Sequence, residues 1–318
     1  MKVLEEIKQR AKSKNYTIVL PEANLDERVY NACIKILDEG LSKIIVFGKE
    51  NEFSSVFNNT NCTIIDIENY ANLEEFANQL YELRKHKGMT EEDAKKLIKT
   101  PTYFAMMLVK NGLADGVVAG AKYSTADTLR PALQIIKTKP GKKMVTGNTL
   151  MIKDGVSPLV LGDVSLIEQP DAETLAEIAI ANAEFMEKVL QIEPKVAMLS
   201  YSTKGSARHE MVDKVVEATK IAQQSRFKID GEMQADSALD IDTARRKGIT
   251  SEVGGNANVL IFPDIDAGNI GYKITARLGG YTAIGPIMLN FNKPVNDLSR
   301  GCTVDEIVQT VLITKLLV

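Results

Sequence analysis

The sequence predicts an α/β protein in two domains, each a sheet covered by helices. Two observations carry this. Short apolar runs alternate with amphipathic stretches from Val3 to Thr138, the pattern of parallel strands joined by crossover helices. At 318 residues the chain is long for one domain and suits two. Lys137–Lys143, basic and containing Pro140-Gly141, is the expected boundary.

A first helix is expected over Val3–Lys12, with Val3, Leu4 and Ile7 as its apolar face. Tyr16–Leu20 reads as a strand broken by Pro21-Glu22-Ala23-Asn24, and Asp26–Leu37 returns to helical spacing through Val29, Cys33, Ile36 and Leu37. Lys43–Phe47 and Cys62–Ile67 are further strands, Leu73–Lys87 and Glu91–Ile98 helices, and Ala114–Val118 another strand. Past the boundary, Met144–Ile152 and Pro158–Leu161 read as strands paired across an Asp154-Gly155 turn. Asp171–Leu190 and His209–Gln224 read as helices, Lys195–Ser200 and Asn258–Pro263 as strands. Asp230-Gly231 and Asp264–Asn269 read as turns, and a helix follows from Asn269 to Leu278. Near the end, Asn296–Gly301 reads as a loop entering a final helix. Thr303 is its N-cap and Glu306 the third helical residue, the spacing of a capping box.

Composition excludes several classes. The chain is 44% hydrophobic and 25% charged with a net charge of −3, so nothing steers it to nucleic acid or an anionic membrane. No apolar run approaches the roughly 20 residues of a membrane span. The opening MKVLEEIKQRAKSKN lacks a secretory apolar core, and Cys33, Cys62 and Cys302 share no metal spacing, so a reducing cytoplasm is expected. With only His86 and His209, a His-based triad or zinc site is not expected, and the G-x-G-x-x-G, P-loop and G-x-S-x-G motifs are missing. No metal is expected. Asp230, Asp236, Asp264 and Asp266 read as turn chemistry.

Ligands of open α/β sheets sit at the carboxyl ends of strands, so Leu20–Asn24 and Gly120–Thr128 are the first loops to consider. Ser299 and Arg300 in a Gly-flanked loop suit an anion clamp, and equally a surface arginine beside a helix cap. Ser124 and Thr125 with Arg130 make a second phosphate-like set, or an N-cap with a surface arginine. Ser200–Ser206 is hydroxyl-rich, Arg277 sits on a helix face, and Cys302 and His209 read as packing and helix-start residues.

Taken together, LPEANLDERV (Leu20–Val29), STADTLRPALQIIKTKPG (Ser124–Gly141), VAMLSYSTKGSARH (Val196–His209), IDGEMQADSAL (Ile229–Leu239), NANVLIFPDIDAGNIGYK (Asn256–Lys273), AIGPI (Ala283–Ile287) and KPVNDLSRG (Lys293–Gly301) resemble phosphate acetyltransferase (phosphotransacetylase). The resemblance implies two α/β/α domains around a central cleft, like isocitrate and isopropylmalate dehydrogenases, and a homodimer. Residues 1–140 with 288–318 would form the first domain and 141–287 the second. The implied reaction is acetyl-CoA + phosphate ⇌ acetyl phosphate + CoA, with CoA a substrate and no cofactor bound permanently. The implied catalytic residues are Ser299, Arg300 and Glu306, and the implied substrate-binding residues Ser124, Thr125, Thr128, Arg130 and Arg277. Glu306 stands where the family carries Asp, one methylene shorter, and Val164 follows Asp163 where many members carry Cys. A phosphate butyryltransferase, a dehydrogenase of similar fold and a non-catalytic acyl-phosphate sensor are the rival readings.

Overall fold

The computed structural model describes residues 2–318. In chain order its elements begin with α1 (Lys2–Lys12), β1 (Thr17–Leu20), α2 (Glu27–Asp38), β2 (Lys43–Phe47), β3 (Cys62–Ile65), α3 (Leu73–Arg84), α4 (Glu91–Leu97), α5 (Pro101–Lys110), β4 (Gly116–Ala119) and α6 (Thr125–Pro131). Next come β5 (Thr146–Ile152), β6 (Leu159–Gly162), α7 (Ala172–Phe185), β7 (Lys195–Leu199), α8 (Glu210–Ala222), β8 (Lys228–Met233), α9 (Ala235–Leu239) and α10 (Ile241–Arg246). The run ends with β9 (Val259–Ile261), α11 (Ile265–Gly279), β10 (Thr282–Leu289), β11 (Val295–Asp297) and α12 (Val304–Leu317). The chain forms two compact units: Leu4–Gly141 with Phe291–Val318, and one built on Lys142–Asn290.

The first unit holds a five-stranded sheet, β11-β4-β1-β2-β3, parallel throughout. Chain order departs from β1 in both directions, toward β2 and β3 on one side and β4 and β11 on the other. That reversal is where open α/β sheets leave a crevice. Ile18, Val19, Ile44, Val46, Val117 and Val118 are fully buried, as sheets covered on both faces require. Phe104 of α5 stands edge-on to Phe47 (5.3 Å) and to Tyr70 (5.0 Å). The helix α5, absent from the sequence reading, is buried from Thr102 to Val109. A helix apolar all round shows no 3.6-residue period and so gives no pattern to detect.

The second unit is a mixed six-stranded sheet, β10-β5-β6-β9-β7-β8. The expected hairpin is present, with β5 antiparallel to β6, while β6, β9, β7 and β8 run parallel. Three readings are corrected here. Asp230-Gly231 is no turn but mid-strand in β8, where a Cβ on Gly231 would lie 2.6 Å from Met198 Cβ; close backbone approach is a glycine's other use. Asp264 caps α11 by accepting Ala267 N–H (2.9 Å), so that helix starts four residues earlier than expected. In the first unit, Asn296 and Asp297 are strand, not loop: β11 pairs with β4 and is buried along its length.

In α12 the side chain of Lys315 is 2% exposed and donates to Leu41 O (2.6 Å). Burial drives its pKa from 10.5 down to about 8. The unfolded chain therefore binds the proton more tightly, and the penalty is fully present below pH 8 and fades as pH rises toward 10.5. Lys315→Met should raise stability at pH 7 by about 1–3 kcal/mol, with the gain shrinking toward pH 10.5, as followed by urea unfolding across pH.

Candidate active site

Three adjacent strands, β1, β4 and β11, end on one edge of the first unit's sheet, and their loops carry most of the predicted residues. Glu22, two residues past β1 and 1% exposed, organises that edge. Its Oε2 accepts the N–H of Ala121 (3.0 Å), and its Oε1 accepts those of Lys122 and Tyr123 (both 2.8 Å). A buried carboxylate needs such charge-assisted partners, each contributing about 1.5–3 kcal/mol. These bonds bend the chain between β4 and α6, where Gly120 has φ +102°. A Cβ there would meet the Asp297 carboxylate and Leu298 N (2.8 Å), so only glycine fits.

Arg28 joins this loop to the other two. It grips Asp26 with Nε (3.0 Å) and Nη2 (2.7 Å), reaches Ala121 O with Nη2 (2.9 Å), and reaches Arg300 O (2.8 Å) and Cys302 O (2.9 Å) with Nη1. The hydrogen-bonded pair holds the Asp26 carboxyl below its ordinary value and raises the guanidinium. With all five donors of a planar fork available, arginine suits this hub and lysine does not.

The Ser299–Arg300 pair is thereby held from behind with both side chains exposed, and Ser299 Oγ accepts Gly301 N–H (3.3 Å). Thr303 and Glu306 form the expected capping box: Glu306 Oε2 accepts Thr303 N–H (2.7 Å) and Thr303 Oγ1 accepts Glu306 N–H (3.3 Å). Cys302 is buried, and burial pushes its thiol up to about 11 despite Arg28, so it is a packing residue as read.

On the neighbouring loop Ser124 caps α6, accepting Asp127 N–H (3.1 Å) and donating to the Asp127 carboxylate (2.7 Å). Thr125 and Arg130 are exposed, but Thr128 is wholly buried, so its hydroxyl is not at the surface where a ligand would meet it. Arg277 lies in the second unit, exposed in the last turn of α11. The hydroxyl-rich Ser200–Ser206 loop is consumed internally: buried Glu232 accepts Ser202 Oγ (2.9 Å) and Gly205 N (2.7 Å). Asp230 holds Lys204 (2.5 Å), Asp236 holds Lys247 (2.8 Å), and His209 caps α8.

Sequence reasoning missed Glu22, Arg28 and Asp297, each lying inside a stretch it quoted. The signal was available for Glu22: an acid in a short polar break straight after an apolar strand. Asp297, 3% exposed, titrates near 6 because burial outweighs the nearby Thr125 and Thr128 hydroxyls, with Glu22 adding repulsion.

A parallel sheet presenting arginines and hydroxyls at its carboxyl edge defines an α/β enzyme for an anionic substrate. Comparison with known proteins says which. The family profile "Phosphate acetyl/butaryl transferase" matches residues 2–315. The chain is 48% identical to the phosphate acetyltransferase of Acetivibrio thermocellus, over 99% of this chain and 97% of that one. It is 45% identical to that of Bacillus subtilis, over 97% and 96%. A crystal structure of a phosphotransacetylase from Streptococcus pyogenes superposes with a TM-score of 0.92 at 44% identity, over 99% and 97%. The EutD phosphotransacetylase from Staphylococcus aureus gives 0.90 at 41%, over 99% and 98%. The chain belongs to the phosphate acetyl/butyryl transferase family. Its reaction is the reversible transfer of an acetyl group between CoA and phosphate, with CoA as substrate, and the rival readings are not favoured.

Replacing Arg28 by Met removes the tie between the three loops. It should cost about 2–4 kcal/mol of stability and raise KM for phosphate more than it lowers kcat, read by thermal unfolding and steady-state kinetics.

Proposed function

We propose that acetyl transfer proceeds in a ternary complex, directly from acetyl phosphate to the CoA thiol, at the carboxyl edge of β1, β4 and β11. The observation that carries this is the Arg28 fork, which ties the backbone of Arg300 and Cys302 to Ala121. It keeps the Ser299–Arg300 pair and the Ser124–Arg130 segment on one edge.

Arg300 and Arg130 bind the phosphate group and neutralise the charge that develops as it leaves. Arg277 is assigned to phosphate on the resemblance alone. The CoA thiol loses its proton, its sulfur attacks the acetyl carbon, and the C–O bond to phosphate breaks with the electron pair staying on phosphate. Ser299 hydrogen-bonds the thiol or the developing oxyanion. An ordinary glutamate titrates near about 4.3 and a thiol near about 8.5, so direct proton transfer between them costs about 6 kcal/mol. A guanidinium beside the sulfur lowers that cost by stabilising thiolate, and holding both substrates in place supplies much of the rest. Glu306 uses Oε2 for the cap, which leaves Oε1 as the proton acceptor.

Assembly as a homodimer belongs to the same reading. Ile270, Ile274 and Leu278 form an exposed apolar stripe at four-residue spacing on α11, the face we assign to a second copy. The described residues include no helix long and apolar enough to cross a membrane, and the cytoplasm is the compartment we assign.

Arg300→Ala should reduce kcat/KM by at least about a thousandfold in CoA-dependent formation of acetyl-CoA from acetyl phosphate; near-normal turnover would remove the clamp from the mechanism. Glu306→Gln keeps the cap and removes the base, so a large loss of kcat with an unchanged melting temperature is expected, while unchanged kcat would leave Glu306 purely structural. For the dimer, sedimentation of the wild type should give twice the chain mass and Ile274→Glu should give monomer; a monomeric wild type would contradict the assignment.

A further inference from the structure

Asp297 has no part in the reaction as set out above, yet it ends β11 two residues before Ser299. Its carboxyl lies over Gly120 and close to the hydroxyls of Thr125 and Thr128. Both Asp297 Oδ1 and Thr128 Oγ1 are buried without a hydrogen-bond partner, a costly arrangement for two polar groups side by side. Thr125, in contrast, reaches the surface.

We propose that Asp297 is a positioning residue which takes up a proton when the anionic substrate binds and thereby turns the Thr125 hydroxyl outward as a donor. This rests on the reading that the Ser124–Arg130 segment receives the phosphate group. With Asp297 ionised, the Thr125 hydroxyl turns its proton inward to the carboxylate and shows only lone pairs to an arriving anion. With Asp297 neutral, its O–H donates to the threonine oxygen, and the threonine proton is free for a phosphate oxygen. The proton comes from solvent, and no bond other than O–H is made or broken.

The surroundings favour such an exchange. The elements packed against Asp297 bring neutral groups close to it: Ala119, its pairing partner at the end of β4, Gly120 just beyond, and the hydroxyls of Thr125 and Thr128 on α6. Thr314 of α12 is bonded to the neighbouring Asn296 (2.7 Å). Among charged groups Glu22 acts on Asp297 and disfavours its ionised form, while Asp127 and Arg130 of α6 stand exposed. With its pKa near 6, Asp297 is mostly ionised at pH 7 and close enough to neutrality for a nearby anion to complete protonation. Binding thus becomes tighter as pH falls.

Sulfate is a suitable probe, since it is an anion of phosphate shape that does not titrate near neutrality. Calorimetry of sulfate binding at pH 7 in buffers of different ionisation heat reads the protons taken up. The wild type should take up about one proton per sulfate, and its affinity should weaken by roughly thirtyfold from pH 6 to pH 8. In Asp297→Asn, whose amide donates permanently to the hydroxyl, uptake should vanish and the affinity should become flat with pH. Thr125→Val, a surface change that leaves Asp297 in place, should lower affinity and abolish most of the uptake. Undiminished uptake in Asp297→Asn, absence of uptake in the wild type, or no sulfate binding at all would overturn the proposal. None of these readouts requires acetyl transfer, so the failure of that mechanism would be recognised separately.

Discussion

One buried carboxylate, that of Glu22, sets the shape of the first unit's functional edge. Removed from water, it needs strong donors, and it finds three consecutive backbone N–H groups on the loop that follows β4. The interaction spans the point where strand order reverses, between β1 and β4. It gives the loop a fixed curvature that its own short sequence would not hold, and it presents Ser124 and Thr125 from a rigid base. Glu232 does the same in the second unit, closing the loop after β7 by accepting from Ser202 and Gly205. In both units an acid beyond or within one strand holds the loop that leaves another.

Around this anchor the charges divide into two kinds. Arg28 is committed inward, with its guanidinium spent on Asp26 and three backbone carbonyls. Arg130 and Arg300 are exposed, and we propose that they meet the ligand. Because the inward arginine fixes the backbone of an outward one, binding geometry is paid for during folding and not during catalysis. Asp297 is a third kind of group, buried and incompletely partnered, and on our proposal its charge responds to what binds outside.

How much of this the sequence showed depends on how local the cause is. The strand Lys43–Phe47, the hairpin of β5 and β6, and the Thr303–Glu306 capping box are written in neighbouring residues, and each was legible. Long-range causes were not. Asn296 and Asp297 read as loop because a polar, turn-like stretch hides a strand that only its pairing with β4 stabilises. Gly231 read as a turn because its purpose, clearance from Met198, lies on another strand. The exposed candidates Ser299, Arg300, Thr125 and Arg130 were found from residue type and spacing. Glu22 and Arg28, which hold them, and the buried Asp297 were missed because the groups they meet on other loops are roughly a hundred or more positions away.

The account turns on Glu22 holding the 121–123 segment, and amide hydrogen exchange measures this directly. The amides of Ala121, Lys122 and Tyr123 should exchange slowly in the wild-type protein. In Glu22→Ala they should lose protection together, while amides of β2 and β3 keep theirs. Fast exchange at these three positions in the wild type, or unchanged protection in the variant, would contradict the account.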